Sequence, residues 1–327
     1  MHIPDGYLSP ATCVVFYGAM APVWYISSRK VDRGLKARDM ARLSFAAAFS
    51  FVIMMFNIPV PGGSSGHMVG AAVAAIVLGP WAAVAALTLA VALQAFIFGD
   101  GGVTALAANS FNMAFIMSFT GYFIYSGLTL GSPGVKRRFF ASAAAGYVSV
   151  NVAALAVALE LGVQPLVAHS PAGVALYAPY PLSTTIPAMV VPHLLFFGPV
   201  EALGTALVVS YIYKYKRQGE FLMSEKRINP LWLVLGALIV LVPLGLLATG
   251  TAWGEWTGEE LSRVVGYIPE GMRRLGNWKG ILPGYGTAAL AGYGFMGTAF
   301  LYIFSAALGS SIVVAAVYSW GRIWKNR

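Results

Sequence analysis

The chain has 327 residues, of which 58% are hydrophobic and 10% are charged, and its mean hydropathy is +0.72. Because a soluble domain carries about 25% charged residues, this composition excludes an ordinary soluble protein and predicts a membrane protein. The net charge of +9 does not indicate nucleic-acid binding, since the Lys and Arg residues occur in short clusters between apolar stretches.

Apolar stretches bounded by Gly, Pro or charge recur along almost the whole chain and predict an all-α, polytopic membrane helical bundle with about nine transmembrane helices. In chain order they lie near residues 8–27, 43–60, 66–79, 81–98, 103–127, 139–163, 183–213, 231–249 and 288–320. The third stretch is short and continuous with the fourth through Gly79 and Pro80. It is therefore a full span, a half-length element or a tilted one.

The basic clusters predict the orientation, because cytoplasmic loops collect Lys and Arg. Under a nine-helix count all of the main clusters fall on one side, at residues 29–42, 136–138, 214–227 and 322–327. This places the N-terminus outside and the C-terminus inside. Because successive spans alternate in direction, the nine-helix count also puts Met1, the loop around His67 and the GDGG turn on the outer side.

The polar and charged segment 214–230 predicts a cytoplasmic linker between two modules. The first module, residues 1–213, carries the Gly-rich loops. The second, residues 231–327, contains two predicted helices joined by a long outer loop.

The start of the chain predicts a metal site. MHIPDGYLSP lacks the basic and apolar regions of a signal peptide. Removal of an initiator methionine normally requires a small second residue, so we expect Met1 to be retained as the first residue. The X-His dipeptide then offers the terminal amine, the deprotonated amide of residue 2 and the His2 imidazole to one ion.

His67, on the same predicted face, supplies a fourth nitrogen and completes a square plane. An all-nitrogen set of this kind suits Ni(II) or Cu(II), whereas Zn(II) prefers a tetrahedron. We therefore predict Met1, His2 and His67 as metal ligands. Taken alone, either histidine is more often structural, but the GGSSG run before His67 allows close backbone approach and Pro4 stiffens the N-terminal turn. Asp5 is a candidate either to orient a ligand or to cap the first helix.

Polar residues at membrane depth are further candidates, because burying them is costly. Asn109 and Asn112 lie three positions apart on one helical face, and a functional role and an interhelical packing role are equally open for both. His169 and His193 are not assigned to the site.

The strings MHIPDGYLSP, PVPGGSSGHMVG and FGDGGVTALAANSFNM resemble the CbiM/NikM family over residues 1–213. These proteins are substrate-binding components of energy-coupling factor transporters for cobalt and nickel. The resemblance implies that Met1, His2 and His67 bind the metal. Ala107 stands where the family often has Gly, a departure that does not touch these ligands. The tail, with TGTAWGEWTGEEL and ILPGYG, is similar to the small CbiN/NikN component, here fused.

The resemblance also implies partners and location. It implies a transmembrane coupling protein of the CbiQ/NikQ type, cytoplasmic ATPases of the CbiO/NikO type and a multi-pass position in a prokaryotic plasma membrane. The chain itself has no phosphate-binding G-x-x-x-x-G-K-[ST] loop, so ATP hydrolysis is expected on separate subunits. Ni(II) or Co(II) is expected as transported substrate and not as a cofactor, and the sequence does not decide between them.

Two other classes are weighed against this interpretation. A polytopic membrane enzyme would use Asp100 or the asparagines, but the sequence has no recognisable nucleophile arrangement and no paired carboxylates within one helix at membrane depth. An autonomous secondary transporter would need no ATPase, but no inverted repeat is evident. No catalytic or cofactor-binding residue is assigned.

Overall fold

The computed structural model describes residues 2–34, 37–60, 64–131, 133–217, 230–248, 256–276 and 278–325. Within these ranges the first part of the chain forms the helices α1 (Pro10–Gly34), α2 (Ala37–Met54), α3 (Ala71–Leu78), α4 (Pro80–Leu93), α5 (Leu106–Asn109), α6 (Met117–Leu128), α7 (Val135–Gly162), α8 (Gln164–Val167), α9 (Leu182–Pro192) and α10 (Gly198–Arg217). The C-terminal part forms α11 (Pro230–Leu241), α12 (Gly258–Val265), α13 (Glu270–Leu275) and α14 (Gly294–Lys325).

Three π-helical segments extend or join these helices, and π-helical turns are common at functional sites. They are Gln94–Phe98 after α4, Ser110–Ile116 between α5 and α6, and His193–Phe197 between α9 and α10. Two segments of 3-10 helix, Val242–Leu247 and Pro283–Tyr293, lie beside α11 and α14, and the second is interrupted by non-helical backbone at residues 284–286 and at Leu290.

Among the described residues, five helical segments are long and apolar enough to cross a membrane: Pro10–Gly34, Pro80–Phe98, Val135–Val167, Leu182–Lys214 and Pro283–Gly321. The chain is thus an all-α, polytopic membrane protein, as predicted. The count of nine helices and the orientation stay predictions. Helix α3 has 8 residues and rises about 12 Å, well short of about 30 Å of hydrocarbon, so the third predicted stretch is a half-length element.

The predicted helix bounds around His67 are wrong. Helix α2 ends at Met54, and a short antiparallel hairpin follows, with strands β1 (Ile58–Val60) and β2 (Ser64–Gly66) paired from Ile58 opposite Gly66 to Val60 opposite Ser64. Pro59 removes a backbone donor that a continuing helix would need. Residues 55–60 and 66–70 therefore form the hairpin and a loop instead of helix.

Other bounds also differ from the prediction. Helix α10 runs to Arg217 and α11 begins at Pro230, so most of the predicted linker 214–230 lies outside the described residues. Helix α14 begins at Gly294, later than predicted, because Gly294 has a left-handed backbone with φ +66° that ends the preceding segment.

Glycines let the long helices pack closely, as is common between membrane helices. A Cβ added to Gly146 on α7 would lie 2.7 Å from the backbone oxygen of Glu201 on α10. A Cβ added to Gly309 on α14 would lie 2.2 Å from the ring of Phe51 on α2. The C-terminal part is therefore packed against the first part through α14 and α2.

Candidate metal site

The N-terminal segment runs through the protein interior and is held there by hydrogen bonds to its backbone. The Ile3 amide donates to Oδ1 of Asn109 at 2.8 Å, and Nδ2 of Asn109 donates to the Ile3 carbonyl at 3.0 Å. That carbonyl also accepts from the Gly102 amide at 2.8 Å. Ile3 and Leu8 are each 1% exposed, so the segment is part of the core.

Asp5 ties the same segment to the turn that follows the GDGG motif. Its carboxylate accepts from the Val103 amide at 3.0 Å and from the Thr104 amide at 2.8 Å, and also from the Thr104 hydroxyl. A Cβ added to Gly102 would lie 2.5 Å from the Asp5 backbone nitrogen. A glycine is needed here because the two backbones approach too closely for a side chain.

The structure brings His2 and His67 together. Their ring centroids are 5.0 Å apart with a 26° angle between the planes, and both side chains are buried. The Nδ1 of His67 lies 3.2 Å from the Met68 carbonyl, to which it can only donate. Within the described part of the chain, the Nε2 atoms of both rings are buried without a hydrogen-bond partner. Because leaving a buried polar atom unpaired is costly, two such nitrogens side by side are suited to a cation.

The other ring nitrogen of His2 faces Asp100. Nδ1 of His2 lies 3.0 Å from Oδ1 of Asp100. In a chelate that includes the amide nitrogen of residue 2, the His2 imidazole binds the metal through Nδ1, because Nδ1 closes a smaller chelate ring than Nε2 would. Metal binding of the predicted kind therefore requires His2 to exchange its contact with Asp100 for a bond to the metal.

The predicted ligand Met1 lies outside the described residues. Among the residues that the structure describes, no group of three or more His, Cys, Asp or Glu side chains could hold a metal ion. An ion between His2 and His67 would therefore need backbone nitrogens as well, as the X-His chelate supplies.

Electrostatics favour a neutral His67 beside an ionised Asp100. Burial holds the pKa of His67 well below its ordinary value, so the ring is neutral near pH 7 and can bind a metal. Burial alone raises the pKa of Asp100, but the neighbouring His2 and the hydrogen bonds from His2 and Tyr285 outweigh it and hold that pKa below its usual range.

The C-terminal part reaches the site through Tyr285. Its hydroxyl donates to Oδ2 of Asp100 and accepts from Nε2 of Gln94 at 3.3 Å. The two oxygens of Asp100 are thus contacted by one residue of the N-terminal segment, His2, and one residue of the C-terminal part, Tyr285. Sequence analysis did not assign Tyr285, and only its place between two glycines in the LPGYG string distinguishes it.

Tyr285 has an unusual backbone conformation. Its φ is +59°, and no other non-glycine residue in the described ranges has a positive φ. This conformation costs about 1–2 kcal/mol for a residue with a side chain. The ring offsets that cost by stacking on Phe98, with centroids 4.8 Å apart, and by meeting Tyr302 edge-on at 5.1 Å.

Neighbouring residues of the C-terminal part also lie against the site. The Leu282 amide donates to the Ile97 carbonyl at 2.7 Å, and a Cβ added to Gly99 would lie 2.1 Å from the Lys279 carbonyl oxygen. The Tyr7 hydroxyl donates to the Trp256 carbonyl at 2.9 Å. The described part of the predicted outer loop therefore packs on both the N-terminal segment and the turn that carries Asp100.

The structure separates the other polar candidates. Asn109 binds the N-terminal segment, whereas Nδ2 of Asn112 donates to Oε2 of Glu160 at 2.9 Å. His169 is exposed. His193 is buried, and its Nδ1 lies 2.7 Å from the Met189 carbonyl.

Comparison with known proteins agrees with this arrangement. The family model described as cobalt uptake substrate-specific transmembrane region, CbiM, matches residues 2–219. The fused nickel transport protein NikMN of Rhodobacter capsulatus is 43% identical over 97% of this chain and 96% of its own length. The probable fused nickel transport protein LarMN of Lactiplantibacillus plantarum is 42% identical over 89% of this chain and 90% of its own length.

A solved structure, the crystal structure of a truncated transition metal transporter, is 50% identical and superposes with a TM-score of 0.62 over 66% of this chain and 99% of its own. The fold and these matches define a membrane component of metal uptake, a transport protein rather than an enzyme. The chain belongs to the CbiM/NikM family, and its C-terminal part is a fused NikN-like module.

Proposed function

We propose that this chain is the substrate-capture component of an ATP-driven energy-coupling factor uptake transporter for Ni(II) or Co(II). The ion is bound by the Met1 amine, the amide and imidazole of His2, and the His67 imidazole. The observation that carries the proposal is the pair of buried imidazoles 5.0 Å apart, in which Nε2 of His67 has no partner among the described residues. Relatives named as nickel and cobalt transport proteins support this choice of ion.

The ligand set favours nickel slightly over cobalt, because four nitrogens in a plane suit Ni(II). The proposal requires Met1 to be the first residue of the mature chain. Mass spectrometry of the purified protein tests that requirement before any binding experiment.

The proposed partners are a coupling protein of the CbiQ/NikQ type and ATPases of the CbiO/NikO type in a prokaryotic plasma membrane. ATP hydrolysis on those subunits would drive the reorientation of this component. In vesicles, uptake of ⁶³Ni(II) should require both partners and ATP. Uptake by this chain alone would favour an autonomous secondary transporter instead.

Calorimetric titration of the purified protein with Ni(II) and with Co(II) tests the site. His2→Ala, His67→Ala and a variant with extra residues before Met1 should each lose tight binding, and His169→Ala serves as a control because His169 is exposed. The ion with the higher affinity identifies the preferred substrate. Normal binding by the extended variant would refute the terminal chelate.

A further inference from the structure

One face of the helical segment around α10 carries the loop that contains His67. Phe197, Glu201 and Gly204 follow one another at spacings of four and three residues, so they lie on the same face. The loop of residues 66–70, here termed the His67 loop, lies against this face.

Glu201 makes two hydrogen bonds to the backbone of the His67 loop. Its Oε2 accepts from the Val69 amide at 2.7 Å, and its Oε1 accepts from the Gly70 amide at 3.0 Å. The side chain is fully buried, and each oxygen takes one N–H group. Because both oxygens accept from the loop backbone, Glu201 fixes the two residues that follow Met68.

The rest of the face fits the loop closely. A Cβ added to Gly66 would lie 2.5 Å from the Phe197 ring, and one added to Gly204 would lie 2.5 Å from the Met68 sulfur. The loop is therefore held above the helix at its start by Phe197 and in its middle by Gly204. These contacts are independent of the bonds to Glu201 and place the loop in the same position.

The loop in turn sets the direction of the His67 ring. Nδ1 of His67 donates to the carbonyl of Met68, which belongs to the same peptide group as the Val69 amide that Glu201 holds. The bond leaves Nε2 of His67 buried and unpartnered beside His2. A displacement of residues 68–70 would therefore move the proposed ligand atom.

We infer that Glu201 is a positioning residue for metal binding, which holds the His67 loop so that Nε2 of His67 reaches the ion. This inference rests on the proposed function. A glutamine at this position would present one oxygen and one NH₂ group to two backbone donors, so one of the two bonds would be lost. An aspartate keeps both oxygens on a shorter side chain and should hold the loop less well.

The test compares Ni(II) binding and the visible absorption of bound Ni(II) in the full-length wild type, Glu201→Gln, His67→Ala and the double variant. Glu201→Gln should weaken binding by about tenfold or more. It should also shift the Ni(II) absorption in the direction that His67→Ala shifts it. The double variant should bind no more weakly than His67→Ala alone, because the two changes remove the same interaction.

Glu160→Gln is the matched control, since Glu160 is another buried carboxylate and bonds the Asn112 side chain instead of the loop. It should bind Ni(II) as the wild type does. If Glu201→Gln does not fold, as judged by its thermal unfolding, Glu201→Asp is used, with a smaller loss and the same dependence on His67 expected.

The inference would be overturned if both Glu201 variants bound Ni(II) with wild-type affinity and showed the wild-type Ni(II) absorption. An affinity loss that adds to that of His67→Ala and leaves the absorption unchanged would also overturn it, since it would reflect general stability. If His67→Ala itself binds as the wild type does, the proposed function fails first, and the two failures are thereby distinguished.

Discussion

Replacing Asn109 by alanine removes the two hydrogen bonds between its side chain and the backbone of Ile3, the residue after the proposed ligand His2. The Ile3 carbonyl keeps the bond from the Gly102 amide, but the Ile3 amide loses its acceptor at a buried position. An unpaired buried donor costs about 1–3 kcal/mol. The segment lies near the chain end, so it can loosen without unfolding the helices, and the cost should appear as weaker metal binding.

At about 1.4 kcal/mol per tenfold change, this cost corresponds to a loss of Ni(II) affinity of about 5- to 150-fold. Calorimetric titration measures the affinity, and thermal unfolding shows whether the helical bundle is intact. Asn112→Ala is the control, because Asn112 is a buried asparagine on the same helical stretch but bonds Glu160. It should change Ni(II) affinity by less than about twofold.

Unchanged affinity in Asn109→Ala would refute the reasoning that the ordered N-terminal segment presents the ligands. An equal loss in both asparagine variants would also refute it, because the effect would then arise from general destabilisation of this helical stretch.

Two glycine substitutions probe the close approaches around the site. Gly102→Val should weaken Ni(II) binding in titration, because its Cβ would meet the Asp5 backbone. Gly127→Ala is the control and should leave binding unchanged, because no atom of the described residues lies within 4 Å of the added Cβ. Equal effects of the two substitutions would contradict this account. Gly280→Val should loosen the C-terminal part, because its Cβ would lie 2.4 Å from the Gly99 nitrogen. Hydrogen exchange of residues 278–285 should accelerate, and unchanged exchange would show that the contact is dispensable.

The chemistry of the chain start allowed part of the site to be predicted. An X-His terminus and a histidine after a Gly-rich loop indicated one cation site, and His2 and His67 indeed lie side by side. The contacts of Asp100 and Tyr285 were not predictable in this way. The two residues are separated by 185 positions, and no local pattern indicates that an outer loop returns to the first module.

The fold class could be predicted from the lengths of the apolar stretches, but the local backbone structure could not. The string NIPV after α2 is apolar enough to be predicted as helix, and only Pro59 argues against it. Asn109 and Asn112 could not be separated from sequence either, because both face inward and their partners, Ile3 and Glu160, come from distant parts of the chain.

The meeting of Tyr285 with Asp100 occurs within a single polypeptide. For two segments joined by a chain, encounter depends on an effective concentration set by the connection, on the order of millimolar for a short flexible linker. Contacts too weak to hold two separate subunits together at low copy number can then remain formed most of the time. Fusion also fixes the ratio of the two modules at one to one, whatever the level of expression.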